Sequence, residues 1–129
     1  MVDHVASYYA ATANASPGRP PLMGDISADV CVIGAGYSGL STALTLAEAG
    51  RRVVVLEAAK VGWGASGRNG GQIINGYSRD YDTIRGRYGK DTADAVLNMS
   101  FDGGDIIRER VQKYNIACDL KPGSFFAAF

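Results

Sequence analysis

Three glycines and one acid form the pattern in this sequence with the most definite chemistry. Gly34, Gly36 and Gly39 stand in the order G-x-G-x-x-G, and Glu57 lies 18 residues after Gly39. The first glycine of such a pattern permits a tight turn, the second lets a pyrophosphate approach the backbone, and the third lets a helix pack closely on a strand. Amides at the start of that helix bind phosphate, and the acid binds a ribose. The spacing therefore predicts a dinucleotide site.

The acid also selects among dinucleotides. A 2'-phosphate on the ribose would meet the negative charge of Glu57, so FAD or NAD is expected rather than NADP. The alternative is a glycine-rich turn that binds no ligand. The strand, the helix and the acid all stand in the order that the motif requires, and this context favours binding.

A second glycine-rich stretch, Gly62 to Gln72, begins five residues after Glu57. It combines small residues with a guanidinium, Arg68, and with two amide side chains, one of them Asn69. This composition suits a loop beneath a bound cofactor, where backbone N–H groups meet anionic oxygens and Arg68 pairs with phosphate or an electron-rich ring. A flexible surface loop with Arg68 in solvent is the alternative that the residues alone leave open.

The elements that would position these residues follow from the apolar patterns. The run from Asp29 to Gly34 is continuous and apolar, as in a parallel strand buried on both faces, and Cys31 within it resembles a small hydrophobic residue. A helix is predicted over Tyr37 to Ala49, ended by Gly50, and a second strand over Arg52 to Glu57. Strand, helix and strand predict a Rossmann-like βαβ unit with parallel strands in an α/β fold.

Further helices are expected after the second glycine-rich stretch. Tyr77, Tyr81, Ile84 and Tyr88 share one face of a helix of about three turns that ends at Gly89. A longer helix should follow, capped by Asp91. Its apolar stripe is predicted to comprise Ala93, Val96, Leu97, Ser100, Gly103, Gly104, Ile107, Val111 and Tyr114. The adjacent glycines would be explained by close packing of another backbone or by a ligand.

The two ends of the sequence differ from its middle. Residues 1–24 carry three of the four prolines and predict an extended arm that leads into the domain. Residues 117–129 predict a strand, a turn at Pro122 and Gly123, and a second strand. Two parallel strands and three helices cannot cover both faces of a sheet. We therefore expect residues 25–129 to be part of a larger domain, with an incomplete parallel sheet, in the N-terminal part of a larger protein.

Composition excludes several functions. Thirteen basic residues balance thirteen acidic ones, so bulk electrostatic binding of nucleic acid or anionic membrane is not expected. A single histidine and two cysteines cannot assemble a histidine-based metal site or a Ser-His-Asp triad within this stretch. No apolar run reaches the roughly 20 residues that span a bilayer, and no signal-peptide pattern opens the chain. A cytoplasmic location is the expectation.

The motifs together resemble the N-terminal FAD-binding part of the D-amino acid oxidase family. The resemblance rests on residues 29–39, on the Val-Val-Val-Leu-Glu strand that ends at Glu57, and on Gly-Ala-Ser-Gly-Arg-Asn-Gly-Gly at 64–71. It is strongest to the gamma-glutamylputrescine oxidoreductase subgroup. That subgroup likeness extends to residues 7–11, 77–80 and 103–110, and to Cys118-Asp119 with Pro122-Gly123.

The resemblance implies FAD as cofactor, a small-molecule amine and O2 as substrates, and a larger two-domain flavoenzyme. An amine carbon would lose a hydride to give an imine, which hydrolyses to an aldehyde and ammonia, while O2 is reduced to H2O2. By the same resemblance the pyrophosphate lies at Gly34, Gly36 and Gly39 and the adenosine ribose at Glu57. The remaining cofactor-binding residues would be Tyr37, Ser38, Ala58, Ser66, Arg68, Asn69, Gly70, Gly71 and Gln72. The catalytic residues are expected outside this segment.

Two departures and two rival hypotheses accompany the resemblance. Some relatives bind flavin covalently through a histidine after the second strand, but this sequence has Trp63 there, so noncovalent attachment is expected. Family members run to several hundred residues, so these 129 residues alone are expected to be inactive. The rivals are an NAD-binding dehydrogenase fragment and a truncated, non-enzymatic remnant.

Overall fold

A computed structural model describes residues 3–123 as two compact units that divide between Gly71 and Gln72. The first unit contains helix α1, strand β1, helix α2, strand β2 and a short 3-10 turn, and the second contains helices α3 and α4. Their bounds are Tyr8–Thr12, Val30–Ile33, Tyr37–Glu48, Val53–Leu56, Ala65–Gly67, Tyr81–Tyr88 and Lys90–Lys113, respectively. The α/β class expected from the sequence is confirmed.

Strands β1 and β2 pair in parallel, with Val30 opposite Val53 and Ile33 opposite Leu56. Asp29 fixes the start of the pair, because its carboxylate accepts the N–H of Arg52 at 2.8 Å and forms a 2.9 Å ion pair with the Arg52 guanidinium. These contacts hold the pKa of Asp29 below its ordinary value. The predicted strand-helix-strand order is therefore confirmed, and both strands are shorter than expected at their ends.

Helix α2 ends in a Schellman motif. The N–H of Gly50 bonds to the Ala47 carbonyl at 2.9 Å and that of Arg51 to the Leu46 carbonyl at 3.0 Å. Gly50 has a φ of +77°, which favours glycine. The predicted helix end is confirmed to within one residue.

The prediction that β1 is buried on both faces is wrong for this structure. Val32 faces α2, because its Cγ1 lies 3.4 Å from the position of a Cβ on Gly39. Side chains alternate along a strand, so Cys31 and Ile33 point to the opposite face. Both are exposed, Ile33 to 85%, and Cys31 is therefore not the buried hydrophobic residue that was expected. Helix α2 covers one face of the pair, and the other face is open.

The second unit consists of two helices that pack on each other. Helix α3 begins after Asp80, whose carboxylate accepts the N–H of Thr83 at 2.7 Å, so the helix has about two turns and Tyr77 lies outside it. Asp91 does not cap α4, since the cap position is Gly89 and Asp91 lies in the first turn. The Tyr81 hydroxyl donates to Asp94 at 2.5 Å, and Asp94 also pairs with Lys90.

The predicted stripe of α4 is buried in part. Ala93 is fully buried and Gly104 is also buried, but Leu97, Ile107 and Tyr114 remain exposed. A Cβ on Gly104 would lie 3.4 Å from the Arg108 guanidinium, an ordinary contact. Side chains, rather than a second backbone, therefore approach this glycine in the structure.

The ends of the chain also depart from expectation. The arm contains helix α1, capped by the Ser7 hydroxyl, which accepts the N–H of Ala10 at 3.2 Å. It is therefore not extended throughout, because the serine cap begins a helix at Tyr8 that ends at Thr12, before the first proline of the arm, Pro17. Residues 117–123 form no strand, and the second strand that was predicted lies outside the described residues. Within residues 3–123 no helix is long and apolar enough to cross a membrane.

Candidate functional site

The turn between β1 and α2 has the geometry that its glycines predict. Gly34 has a φ of +98° and donates its N–H to the Leu56 carbonyl at 2.7 Å, which extends the parallel ladder by one residue. A Cβ on Gly39 would lie 2.0 Å from the carbonyl oxygen of Gly34, far inside van der Waals contact. The third glycine is therefore required for the start of α2 to approach the end of β1.

Glu57 lies directly beside this turn. One carboxylate oxygen accepts the N–H of Ala35 at 2.8 Å, and the other accepts the N–H of Ala59 at 2.9 Å. These two backbone hydrogen bonds, with a smaller contribution from the Ala58 amide, hold the pKa of Glu57 below its ordinary value. The acid is exposed, and it is an anion that joins the ends of β1 and β2.

The first turn of α2 supplies amide donors at the same edge. The N–H of Tyr37 bonds to the Ser66 hydroxyl at 3.0 Å. Ser38 and Gly39 also lie in this turn, where N–H groups have no carbonyl of their own helix to pair with. Such amides, with the positive end of the helix dipole, attract anionic oxygens.

The second glycine-rich stretch packs against the first. The N–H of Gly62 bonds to the Ala35 carbonyl at 2.9 Å, and Ser66 adds the bond to Tyr37. A Cβ on Gly36 would lie 2.9 Å from the Ser66 hydroxyl oxygen, so the second glycine of the motif gives this loop room to approach. The two glycine-rich segments, far apart in sequence, form one surface.

Asn69 organises the end of this loop. Its amide nitrogen donates to the Ser66 carbonyl at 2.9 Å and to the Tyr37 hydroxyl at 3.0 Å, and its oxygen accepts the Gly71 N–H at 2.8 Å. The hydrogen bonds described for Asn69 are therefore all made to other residues of the chain and hold the loop in place. Gly70 is exposed beside it.

Arg68 interacts within its own loop. Its Nε donates to the Trp63 carbonyl at 2.9 Å, and its guanidinium lies 4.4 Å from the centre of the Trp63 ring. Arg68 is therefore ordered against an aromatic ring rather than loose in solvent, although its side chain is exposed. Gln72 is exposed and belongs to the second unit, so its predicted role stays a prediction.

Several residues that contribute hydrogen bonds to this site were not predicted from the sequence. Ala35 and Ala59 act through their backbone amides, which the side-chain pattern does not mark. Trp63 was considered only as the residue that stands in place of a flavin-binding histidine, yet its indole Nε1 donates to the Asp3 carbonyl at 2.9 Å. Its position at the start of the second glycine-rich stretch was the one available signal.

The donor set fits a dinucleotide of the FAD type. Glycines give close access to the backbone, the first turn of α2 offers N–H groups, and Glu57 is anionic at neutral pH. Each carboxylate oxygen accepts one of the backbone bonds described above and has further lone pairs for a ribose hydroxyl. The role of each predicted residue in binding remains a prediction.

Comparison with known proteins identifies a family and several relatives. Residues 29–129 match the family described as DAO, FAD dependent oxidoreductase. The chain is 57% identical over 128 residues to the gamma-glutamylputrescine oxidoreductase of Escherichia coli K12, covering 99% of this chain and 30% of that protein. It is 53% identical over 121 residues to a probable oxidoreductase, OrdL, of Haemophilus influenzae, covering 94% of this chain and 28% of that protein.

A second OrdL, from Rhizobium meliloti, is 34% identical over 117 residues, which cover 91% of this chain and 27% of that protein. The chain therefore spans about three tenths of the length of the curated relatives that it matches. No solved structure matches it at a significant level.

Proposed function

This chain belongs to the DAO family of FAD-dependent oxidoreductases, and on that premise we propose that its first unit binds FAD in a Rossmann-like manner. The observation that carries the proposal is the 2.8 Å bond between the Ala35 amide and the Glu57 carboxylate. It brings the ribose-binding acid to the glycine turn, beside the start of α2. The two parts of the proposed dinucleotide site would thereby lie together at the carboxyl ends of two parallel strands.

The glycine turn would hold the pyrophosphate. The amides of Ser38 and Gly39 lie in the first turn of α2. A Cβ on Gly34 would meet nothing within 4 Å, so the approach to this turn is open, while Gly36 makes room for the Ser66 hydroxyl. The ribose hydroxyls of the adenosine would donate to the Glu57 carboxylate, as the free lone pairs allow. Ala58, next to Glu57, would border this ribose.

The second loop would lie along the cofactor toward its flavin ring. Ser66 and Asn69 hold the loop to Tyr37, and Arg68 is stacked on Trp63. Gly70, Gly71 and Gln72 would continue the same path. Trp63 occupies the region where some relatives have a histidine, so we propose noncovalent attachment at this loop.

For the whole protein we propose oxidation of a primary amine. FAD, when bound, accepts a hydride from the amine carbon and is reoxidised by O2, which is reduced to H2O2. The resulting imine is hydrolysed to an aldehyde and ammonia. A substrate such as gamma-glutamylputrescine is favoured by the name of the Escherichia coli relative. The role of this segment is to bind and orient the cofactor, and the cytoplasmic location expected from the sequence stays a prediction.

Cofactor binding can be tested directly on the 129-residue chain. Titration with FAD should quench flavin fluorescence with a saturable curve, and an equal concentration of NAD should not compete. Competition by NAD would instead support the dehydrogenase alternative. A chain that binds neither compound would contradict the proposal and support the non-enzymatic remnant. Gly86→Ala should bind FAD as the wild-type chain does, because a Cβ at Gly86 meets nothing within 4 Å.

The reaction is tested on a longer protein that carries this segment. We expect H2O2 and ammonia in equal amounts from gamma-glutamylputrescine, measured by a coupled peroxidase assay and by ammonia determination. The 129-residue chain alone should release no H2O2 in the same assay. A longer protein that retains FAD but oxidises no amine would contradict the proposed substrate class and leave the proposed cofactor in place.

A further inference from the structure

Asp3, in the N-terminal arm, contacts the second glycine-rich region through two different groups. Its carboxylate pairs with the Lys60 ammonium, and its backbone carbonyl accepts the indole N–H of Trp63 at 2.9 Å. The partner residues lie 57 and 60 positions away in sequence. The ion pair holds the pKa of Asp3 below its ordinary value. We call Asp3, Lys60 and Trp63 the clasp.

The clasp closes on a turn that is itself bonded to the cofactor region. The N–H of Trp63 bonds to the Lys60 carbonyl at 2.9 Å, so the two partners of Asp3 bracket one tight turn. Inside that turn, Gly62 has a φ of +69° and donates to the Ala35 carbonyl at 2.9 Å. Ala35 is the residue whose N–H binds Glu57.

The clasp also contacts Arg68, the cation of the second glycine-rich stretch. The Trp63 carbonyl accepts a hydrogen bond from Arg68 Nε, and the Trp63 ring stacks on the Arg68 guanidinium. The Trp63 indole N–H donates to the Asp3 carbonyl. Fixing the Trp63 ring therefore fixes the surface on which Arg68 lies. The Lys60–Trp63 turn and its hydrogen bonds thus connect Asp3 to Ala35, and the Trp63 ring connects Asp3 to Arg68.

We propose that the N-terminal arm positions the cofactor loop, with Asp3 as a positioning residue that holds the Lys60–Trp63 turn in its FAD-binding shape. This inference rests on the proposed function. A loop ordered before binding loses less conformational freedom when the ligand arrives, so its affinity is higher. Within the clasp, Asp3 supplies that order from outside the glycine-rich motifs.

The two halves of the clasp differ in strength and in response to salt. Exposed ion pairs contribute little by themselves and are screened by salt, and Asp3 is a strongly exposed residue. The indole hydrogen bond is uncharged and remains when the Asp3 side chain is changed. Asp3→Asn should therefore weaken the clasp, whereas deletion of residues 1–6 should remove it.

Trp63 provides a readout that requires no cofactor, because it is the single tryptophan of the chain. Without FAD, acrylamide should quench Trp63 fluorescence more strongly in Asp3→Asn than in the wild-type chain, and most strongly after deletion of residues 1–6. Asp3→Glu should restore the wild-type value. Asp25→Asn is the matched control, because Asp25 is an exposed aspartate of the same unit outside the clasp, and it should change nothing. High salt should increase quenching in the wild-type chain and leave Asp3→Asn unchanged.

FAD affinity, measured on the same proteins, tests the consequence. Asp3→Asn should raise the Kd about two- to five-fold and the deletion about ten-fold, from the typical contributions of an exposed ion pair and a neutral hydrogen bond. Equal quenching in all variants would show that the clasp does not form, and altered quenching with an unchanged Kd would show that it does not position the loop. Either result overturns the inference. A wild-type chain that folds but binds no FAD would overturn the proposed function itself, whatever the quenching shows.

Discussion

Gly39 illustrates how a single residue without a side chain determines the approach of two elements. A Cβ there would lie 2.0 Å from the Gly34 carbonyl oxygen, which belongs to the backbone and cannot rotate away. Contact between α2 and the end of β1 therefore depends on an absent methyl group. The same contact places the first-turn amides of α2 at the carboxyl end of the sheet.

We predict that Gly39→Ala destabilises the first unit and weakens FAD binding. The backbone must shift to relieve the overlap, and overpacking of this kind costs about 1–3 kcal/mol. Urea denaturation monitored by Trp63 fluorescence, with an FAD titration of the same protein, measures both effects. Gly86→Ala is the control and should be neutral or stabilising, since a Cβ there meets nothing within 4 Å. An unchanged midpoint in Gly39→Ala would show that the turn adapts freely.

Glu57 has a structural role in addition to the proposed contact with ribose. One carboxylate oxygen accepts the amide of Ala35, which joins the end of β1 to the end of β2, and the other accepts the amide of Ala59, two residues further along the chain. A glutamine side chain at this position would retain one oxygen acceptor, and its NH2 group would face a backbone N–H. We therefore expect Glu57→Gln to lower both the urea midpoint and FAD affinity, with the affinity measured by flavin fluorescence.

The same residue predicts a pH dependence. Because the pKa of Glu57 is lower in the folded chain than in the unfolded chain, its charged form stabilises the fold at neutral pH. That contribution should decline as the pH falls below about 4.3, where an unperturbed glutamate protonates, and through the folded pKa. Urea midpoints between pH 7 and pH 3 should converge for the wild-type chain and Glu57→Gln at the acid end. A constant difference across that range would contradict this assignment.

At the level of elements, the helices and strands that depend on local sequence patterns could be predicted. Strands β1 and β2 and helix α2 lie where apolar runs and spacing predicted them, and Gly34 and Gly50 follow the ends of β1 and α2 with positive φ angles. Helix α3 begins later than predicted, because the Asp80 carboxylate caps it by accepting a backbone hydrogen bond. The spacing of the tyrosines does not reveal this local hydrogen bond. The Ser66–Tyr37 bond could not be predicted, because it joins residues 29 positions apart through a loop without periodicity.

The end of α2 offers a test at this level. Gly50 has a φ of +77°, and its N–H completes one of the two bonds of the Schellman motif. Gly50→Ala would place a Cβ in the left-handed region, which costs roughly 1–2 kcal/mol. We expect the urea midpoint to fall by a corresponding amount.

Gly103→Ala in α4 is the matched comparison. Its backbone is helical without a positive φ and a Cβ there meets nothing within 4 Å, so alanine should stabilise the chain by about 0.5–1 kcal/mol. Opposite signs for the two substitutions would support the assigned backbone conformations. A stabilising Gly50→Ala would contradict the left-handed end of α2.

For the molecule as a whole, the burial pattern shows a two-stranded sheet with little buried apolar surface. Among residues 3–123 the buried hydrophobic residues are Ala35, Ala43 and Ala93, all of them small. Ile33 is 85% exposed on the face of β1 that points away from α2. Burial of small side chains contributes little apolar area, so a large stabilising core is not found in the described part of the chain. A ligand that binds only the folded state should therefore have a large relative effect.

We accordingly predict that FAD raises the thermal midpoint of the 129-residue chain. Binding to the folded state alone stabilises it by about 2.7 kcal/mol when the free ligand is at one hundred times its Kd. Circular dichroism at a helical wavelength, in the presence of increasing FAD, would follow the midpoint, and NAD at the same concentrations should leave it in place. Glu57→Gln should need more FAD for the same shift, because one of its two carboxylate oxygens is replaced. If FAD and NAD raised the midpoint equally, the second loop would have no part in recognising the flavin, and the result would support the NAD-binding dehydrogenase alternative.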